Sequence, residues 1–185
     1  MRRLQRGLLA LVAVMITLPP AHAACPVPVA GVPYGYRRVA AAHGIPSALF
    51  YAIALAESGK HIERLHAARP WPWTLNIHGE GRYYPSREKA LEAVHRALGN
   101  GRLSVDIGLM QVNWQYHAAA LRTVDSAIDP YHNLDVAAEI LAECYSSRGD
   151  WWAAVGCYHA PGDADRAARY RDRVQRIWSR ITAIG

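Results

Sequence analysis

Beyond Leu18 the chain has no apolar run long enough for a bilayer, which takes about twenty residues in a helix, so no stable membrane span is expected. It lacks internal repeats and low-complexity tracts, which excludes solenoids and disordered arrays as the main architecture. Lysine is scarce: of 21 basic residues only Lys60 and Lys89 are lysines. No basic run alternates with aromatics and no zinc-finger spacing occurs, so no nucleic-acid partner is expected. Metal-ligand spacings are missing too. In His61-Ile-Glu63-Arg-Leu-His66 the histidines are not four apart on a helix face as in His-Glu-x-x-His, and Cys144 and Cys157 are too far apart for the Cys-x-x-Cys of a zinc deaminase. Neither a metal nor another cofactor is expected.

What is present begins with an export signal. Arg2, Arg3 and Arg6 precede the apolar run Gly7 to Leu18, and Ala21-His22-Ala23 offers small residues for cleavage. This is the design of a secretory signal peptide over residues 1–23, and it predicts a periplasmic or otherwise exported protein. Residues 24–35, rich in Pro and Val, read as an extended leader before a single domain over 36–185. Cys25 lies near the cleavage point, but His22 stands three positions before it, where a lipoprotein signal wants an aliphatic residue. Removing Arg2, Arg3 and Arg6 lowers the formal charge from +6 to +3, a mild basicity that suits an anionic cell-wall polymer without requiring one.

The periodicity is mainly helical. Tyr36 to His43 reads as a short helix stopped by Gly44, and Pro46-Ser47 opens a second one. His61 to Arg69 has no clear pattern. Trp71 to Ile77, the turn His78-Gly-Glu-Gly81 and Arg82-Tyr83-Tyr84 predict a β-hairpin. Ser86 caps a helix ended by Gly99-Asn-Gly101. Gly108 to Gln111 reads as the start of a short helix, with another over Gln115 to Thr123. Asn133 opens the next, Asp150 caps one carrying Trp151, Trp152 and Tyr158, and the last runs from Ala164 to Thr182. On that last helix Tyr170, Val174, Ile177, Trp178 and Ile181 face inward. Its other face carries Arg166, Arg169, Arg173, Arg176 and Arg180, either a solvated face or a contact for an anionic wall polymer or a partner. The fold class is therefore mainly α with one small hairpin. Cys144 and Cys157 lie nearly symmetrically about Asp150 in the turn Arg148-Gly149-Asp150, so antiparallel helices would bring them level. A disulfide is expected there, two buried thiols being the alternative.

Chemistry enters at Glu57. Ala48 to Ala56 are nine consecutive apolar or aromatic residues, so the helix that ends at Glu57-Ser58-Gly59 is buried all round. Loss of water and the negative end of the helix dipole both raise the pKa of a carboxylate there. The result is an acid kept protonated near neutrality, able to give a proton to a leaving group.

Two further segments follow in order: Asp106-Ile-Gly108-Leu-Met-Gln111-Val-Asn113-Trp114 and Gly156-Cys-Tyr158-His-Ala-Pro-Gly162. Glu-Ser, Gly-Leu-Met-Gln and a late Tyr before a small-residue turn, at these separations, resemble the lytic transglycosylases with the goose-lysozyme-like SLT domain. The likeness runs from about Tyr36 to Val174. Asn113, standing where many relatives carry Pro, draws it towards the small specialised enzymes that accompany conjugation and secretion machines. His159-Ala160-Pro161 departs from the usual Asn-Ala-Gly.

The resemblance implies a lysozyme-like fold and a peptidoglycan substrate, with components of an envelope-spanning secretion or conjugation complex as partners. It implies that Glu57 protonates the glycosidic oxygen after N-acetylmuramic acid, then takes the proton of the C6 hydroxyl, which closes a 1,6-anhydro ring. It also implies that Tyr158 hydrogen-bonds Glu57. Ser58 lies near the substrate N-acetyl group or else bonds backbone at the helix end. Gln111 offers an amide to sugar, Met110 an apolar wall, and Gly108 a close approach of backbone. Asn113 belongs to the same binding segment. Asp106 reads first as an N-cap and otherwise as a second carboxylate. Trp71, Trp73, Tyr83 and Tyr84 either stack on sugar or pack on the domain. A hydrolytic lysozyme and a non-catalytic wall-binding or assembly subunit are the competing functions.

Overall fold

The segment from Ser47 to Ser58 forms its helix through burial rather than capping. Pro46 precedes it with no side-chain cap bond, whereas Phe50, Ile53, Ala52 and Ala54 are fully buried. Burying a large apolar side chain contributes about 1.5–3 kcal/mol, so packing alone accounts for a helix this short. This helix, α2 (Ser47–Ser58), follows α1 (Tyr34–Ala42) in a computed structural model that describes residues 31–183. The expected signal peptide, Cys25 and most of the leader lie outside the described residues.

α2 ends at Gly59, where only glycine fits because any side chain would collide with the Leu55 carbonyl. The chain then makes a hairpin, β1 (Gly59–Ile62) with β2 (Ala67–Pro70). His61 to Arg69, without a pattern in the sequence, is thus a second hairpin beyond the one expected. The expected one is β3 (Thr74–Ile77) with β4 (Glu80–Tyr83), turned through His78 and Gly79 at φ 53° and 90°. Two consecutive positive φ values match the twist of a two-residue hairpin turn.

On the other edge of β3 lies β5 (Val105–Ile107), itself paired to β6 (Val112–Asn113), so the sheet order is β4-β3-β5-β6. The short helix expected at Gly108 to Gln111 is instead the turn between β5 and β6. Gly108 (φ 82°) and Gln111 (φ 49°) are both left-handed, which a right-handed helix does not allow. Asp106 is accordingly a strand residue and not a helix cap.

The remaining helices are α3 (Arg87–Gly99), α4 (Trp114–Leu121), α5 (Val124–Ala127), α6 (Pro130–Arg148), α7 (Trp151–His159) and α8 (Ala164–Thr182). Ser86, Asn113, Thr123, Asp129, Asp150 and Asp163 each accept a backbone N–H at the helix starts, the usual satisfaction of otherwise orphaned donors. α6 opens at Pro130, capped by Asp129, three residues before the Asn133 start read from the pattern. Gly149 (φ 72°) turns α6 into α7, and Cys144 is joined to Cys157 across that turn with a Cα–Cα distance of 5.8 Å. The architecture is mostly helical with small antiparallel sheets, compatible with a lysozyme-like fold. Among the described residues no single helix is long and apolar enough to cross a membrane.

Candidate active site

Glu57 sits in the last turn of α2 with its side chain 12% exposed. Burial pushes its carboxyl up from 4.5 to about 7, and nearby Asp106 adds to the rise. Two groups work against it: the hydroxyl of Tyr170, which donates to Glu57 Oε1 at 2.5 Å, and the charge of Arg173. Both come from α8. Removal from water outweighs them, because a half-solvated guanidinium and one hydrogen bond do not replace a hydration shell.

The phenol that meets Glu57 is therefore Tyr170 and not Tyr158. The Tyr158 hydroxyl donates 2.8 Å to the Met110 carbonyl, tying α7 to the β5–β6 turn. Tyr158 still feels the site, since burial and then the charges of Glu57 and Asp106 raise its pKa. Nothing but burial along an apolar stripe marked Tyr170 in the sequence. The one available signal was that a buried Tyr hydroxyl needs a polar partner, and Glu57 was the buried group in want of a donor.

His159, where the family pattern has Asn, stacks on Tyr170 with centroids 4.2 Å apart and planes 4° from parallel. Its Nδ1 is 4.0 Å from Glu57 Oε1. Burial first, then Arg166 and Arg173, hold its pKa below the ordinary histidine value. It faces Glu57 uncharged near neutrality, so the contact is not an ion pair there.

The turn Gly108 to Gln111 is held by Asn133, a fully buried side chain of α6 that the sequence did not mark as part of the site. Its amide donates to the carbonyls of Ile107 and Ala127 and accepts from the Met110 N–H. A Cβ on Gly108 would lie 2.8 Å from the Asn133 Cγ, so Gly108 makes room for Asn133 rather than for a ligand. Met110 is fully buried and forms core, not an exposed wall. Ser58, also fully buried, donates to the Leu109 carbonyl at 2.7 Å and to Ala54 at 3.2 Å. It thereby locks the end of α2 to the same turn. Gln111 donates its amide to the carbonyls of Thr74 and Gly108, which leaves its side-chain oxygen for other partners. Asn113 donates to Asp106 at 2.6 Å and caps α4. Burial raises the Asp106 pKa, and the Asn113 bond opposes the rise.

The hairpin aromatics divide. Trp73 and Tyr84 pack against the core, while Tyr83 is 47% exposed and donates to the Gly59 carbonyl. Lys60 lies 4.2 Å from the Trp71 ring centre and 5.7 Å from that of Tyr83. Trp71 and Tyr83 thus form an aromatic surface beside the residue that follows the Glu57-Ser58 pair. Among the described residues no three His, Cys, Asp or Glu side chains are grouped to hold a metal ion.

The constellation is one buried, protonatable carboxyl oriented by a phenol, with exposed Tyr83 and partly buried Trp71 at the start of the chain segment that follows it. Comparison with curated proteins and with solved structures returned no match. The family described as Transglycosylase SLT domain matches residues 36–180. That match spans every residue just described, from α2 to the arginines of α8, and the chain belongs to the SLT transglycosylase family, whose members are lytic transglycosylases acting on peptidoglycan.

Proposed function

We propose that this protein cleaves the β-1,4 bond between N-acetylmuramic acid and N-acetylglucosamine and leaves 1,6-anhydromuramyl ends. The observation that carries the reading is the environment of Glu57: a carboxyl still half protonated at about pH 7 can act as an acid at the pH of the cell envelope, and the carboxylate it leaves can act as a base. In the first step Glu57 gives its proton to the glycosidic oxygen. Tyr170 donates to the resulting carboxylate, which limits the cost of charging a buried group. In the second step Glu57 takes the proton of the C6 hydroxyl as that oxygen bonds to C1. The attack is intramolecular, so its positioning entropy is largely met by binding.

One observation favours a second reading. Asp106 lies near enough to raise the Glu57 pKa, and a hydrolase uses a second carboxylate to activate water. Against it stands the bond from Asn113, which occupies an Asp106 oxygen at 2.6 Å. Digestion of purified murein in oxygen-18 water separates the two. Anhydro ends without label support the transglycosylase; labelled reducing ends support the hydrolase; no Glu57-dependent products at all would leave a non-catalytic wall-binding subunit.

The signal-like N-terminus supports export to the periplasm or its equivalent, and Asn113, where many relatives carry Pro, supports service to a secretion or conjugation machine through local wall opening. Fractionation of cells expressing the tagged full chain tests export. Loss of machine assembly on deletion, restored by the parent but not by Glu57→Gln, tests the service.

A further inference from the structure

Among the described residues, five guanidinium groups of α8 find no partner. Arg166, Arg169, Arg173, Arg176 and Arg180 are all exposed, and among the described residues none makes a side-chain hydrogen bond or ion pair. Their spacing of three, four, three and four residues puts them within about 80° of arc on one helix face, along roughly 21 Å of axis. Each neighbouring pair is a like-charge pair at i,i+3 or i,i+4, an arrangement unfavourable to an isolated helix. Tyr170 and Val174, on the adjoining face, hold α8 against the core in spite of it. The stripe passes the Glu57 carboxyl at its middle, where the charge of Arg173 bears on Glu57 and those of Arg166 and Arg173 bear on His159.

We infer that this stripe binds the carboxylates of peptidoglycan stem peptides, holding the strand whose glycosidic bond lies at Glu57. The inference rests on the proposed wall substrate and adds a contact outside the sugar site. Continuity selects this occupant over an acidic protein: a strand seated at Glu57 carries its anionic peptides past the same helix that supplies Tyr170 and Arg173. Arginine suits the task because its planar fork pairs with a carboxylate through two parallel hydrogen bonds. Exposed pairs of this kind are screened by salt, so the contact is salt-sensitive.

The test uses Arg169→Gln/Arg176→Gln/Arg180→Gln, which leaves Arg166 and Arg173 beside the site. Binding to peptide-bearing glycan strands and to strands stripped of peptide by an amidase is measured for the parent and the triple variant at low and physiological salt, together with release of anhydro products. The parent is expected to bind peptide-bearing strands more tightly than stripped ones. The variant loses that preference, with affinity falling roughly three- to a hundredfold for three exposed charge pairs, while cleavage of stripped strands is unchanged. Equal binding of both strands by the parent overturns the inference, as does a variant that keeps the parent's preference. A variant with normal strand binding that fails only to support machine assembly points to an acidic protein partner and also overturns it. Binding is read separately from products, so a parent that binds by peptide but yields no anhydro ends refutes the proposed reaction and not the stripe.

Discussion

Replacing Glu57 by Gln should abolish cleavage and, above neutrality, stabilise the fold. A carboxyl raised from 4.5 to about 7 binds its proton more tightly in the native state than in the unfolded chain. Stability from that proton is complete below about pH 4.5 and is lost as pH rises through about 7. The shift corresponds to about 3 kcal/mol at 1.36 kcal/mol per pKa unit. An amide has the same shape, can still accept from Tyr170, and has no charge to bury. Urea unfolding of parent and variant should therefore coincide within about 1 kcal/mol near pH 4, and the variant should be more stable by about 1–3 kcal/mol near pH 8.5. In parallel, release of anhydromuropeptides should fall by at least a hundredfold, the usual worth of a general acid. A variant whose stability differs from the parent by the same amount at both pH values would refute the buried-acid account. Retention of more than about a tenth of the activity would refute the catalytic assignment.

In the parent, kcat/KM for murein should fall about tenfold per pH unit above about 7 as Glu57 loses its proton; a flat profile to about pH 9 would contradict the assignment. Tyr170→Phe removes a bond that favours the charged form, so that alkaline limb should move upward while kcat falls; an unmoved limb would show that the Tyr170 contact does not act on the acid. Tyr158→Phe should leave the limb in place but cost about 1–3 kcal/mol in urea unfolding, because the buried Met110 carbonyl loses its donor. Gly108→Ala meets both a left-handed backbone and the Asn133 side chain, and should destabilise by about 2 kcal/mol or more; a neutral change in melting temperature would refute the steric reading.

Much of this molecule was legible from local chemistry. The nine-residue apolar run named the buried helix and made Glu57 an acid with a raised pKa, since burial and helix position follow from neighbours in sequence. The hairpin at Thr74 to Tyr83, the caps at Ser86 and Asp150 and the span of α8 followed from turn residues and periodicity in the same way. The cysteines flanking Asp150 could be paired because only a short turn separates their helices. Where partners are distant, the reading failed. Gly108 to Gln111 looked helical because nothing nearby reveals that β5 finds β3 some thirty residues earlier, or that Asn133 fills the turn from α6. Local pattern did not separate Tyr158 from Tyr170, two tyrosines on apolar helix faces, and the family motif pointed to Tyr158. Which hydroxyl meets Glu57 depends on how α7 and α8 pack against α2, a matter of helix rotation and tilt that no single helix encodes. The sequence by itself determined most of the helices, their buried faces and the one carboxyl in an apolar setting. The tertiary structure alone decided which groups surround that carboxyl, because hydrogen bonds and charges act over a few ångströms in space and not over positions in a chain.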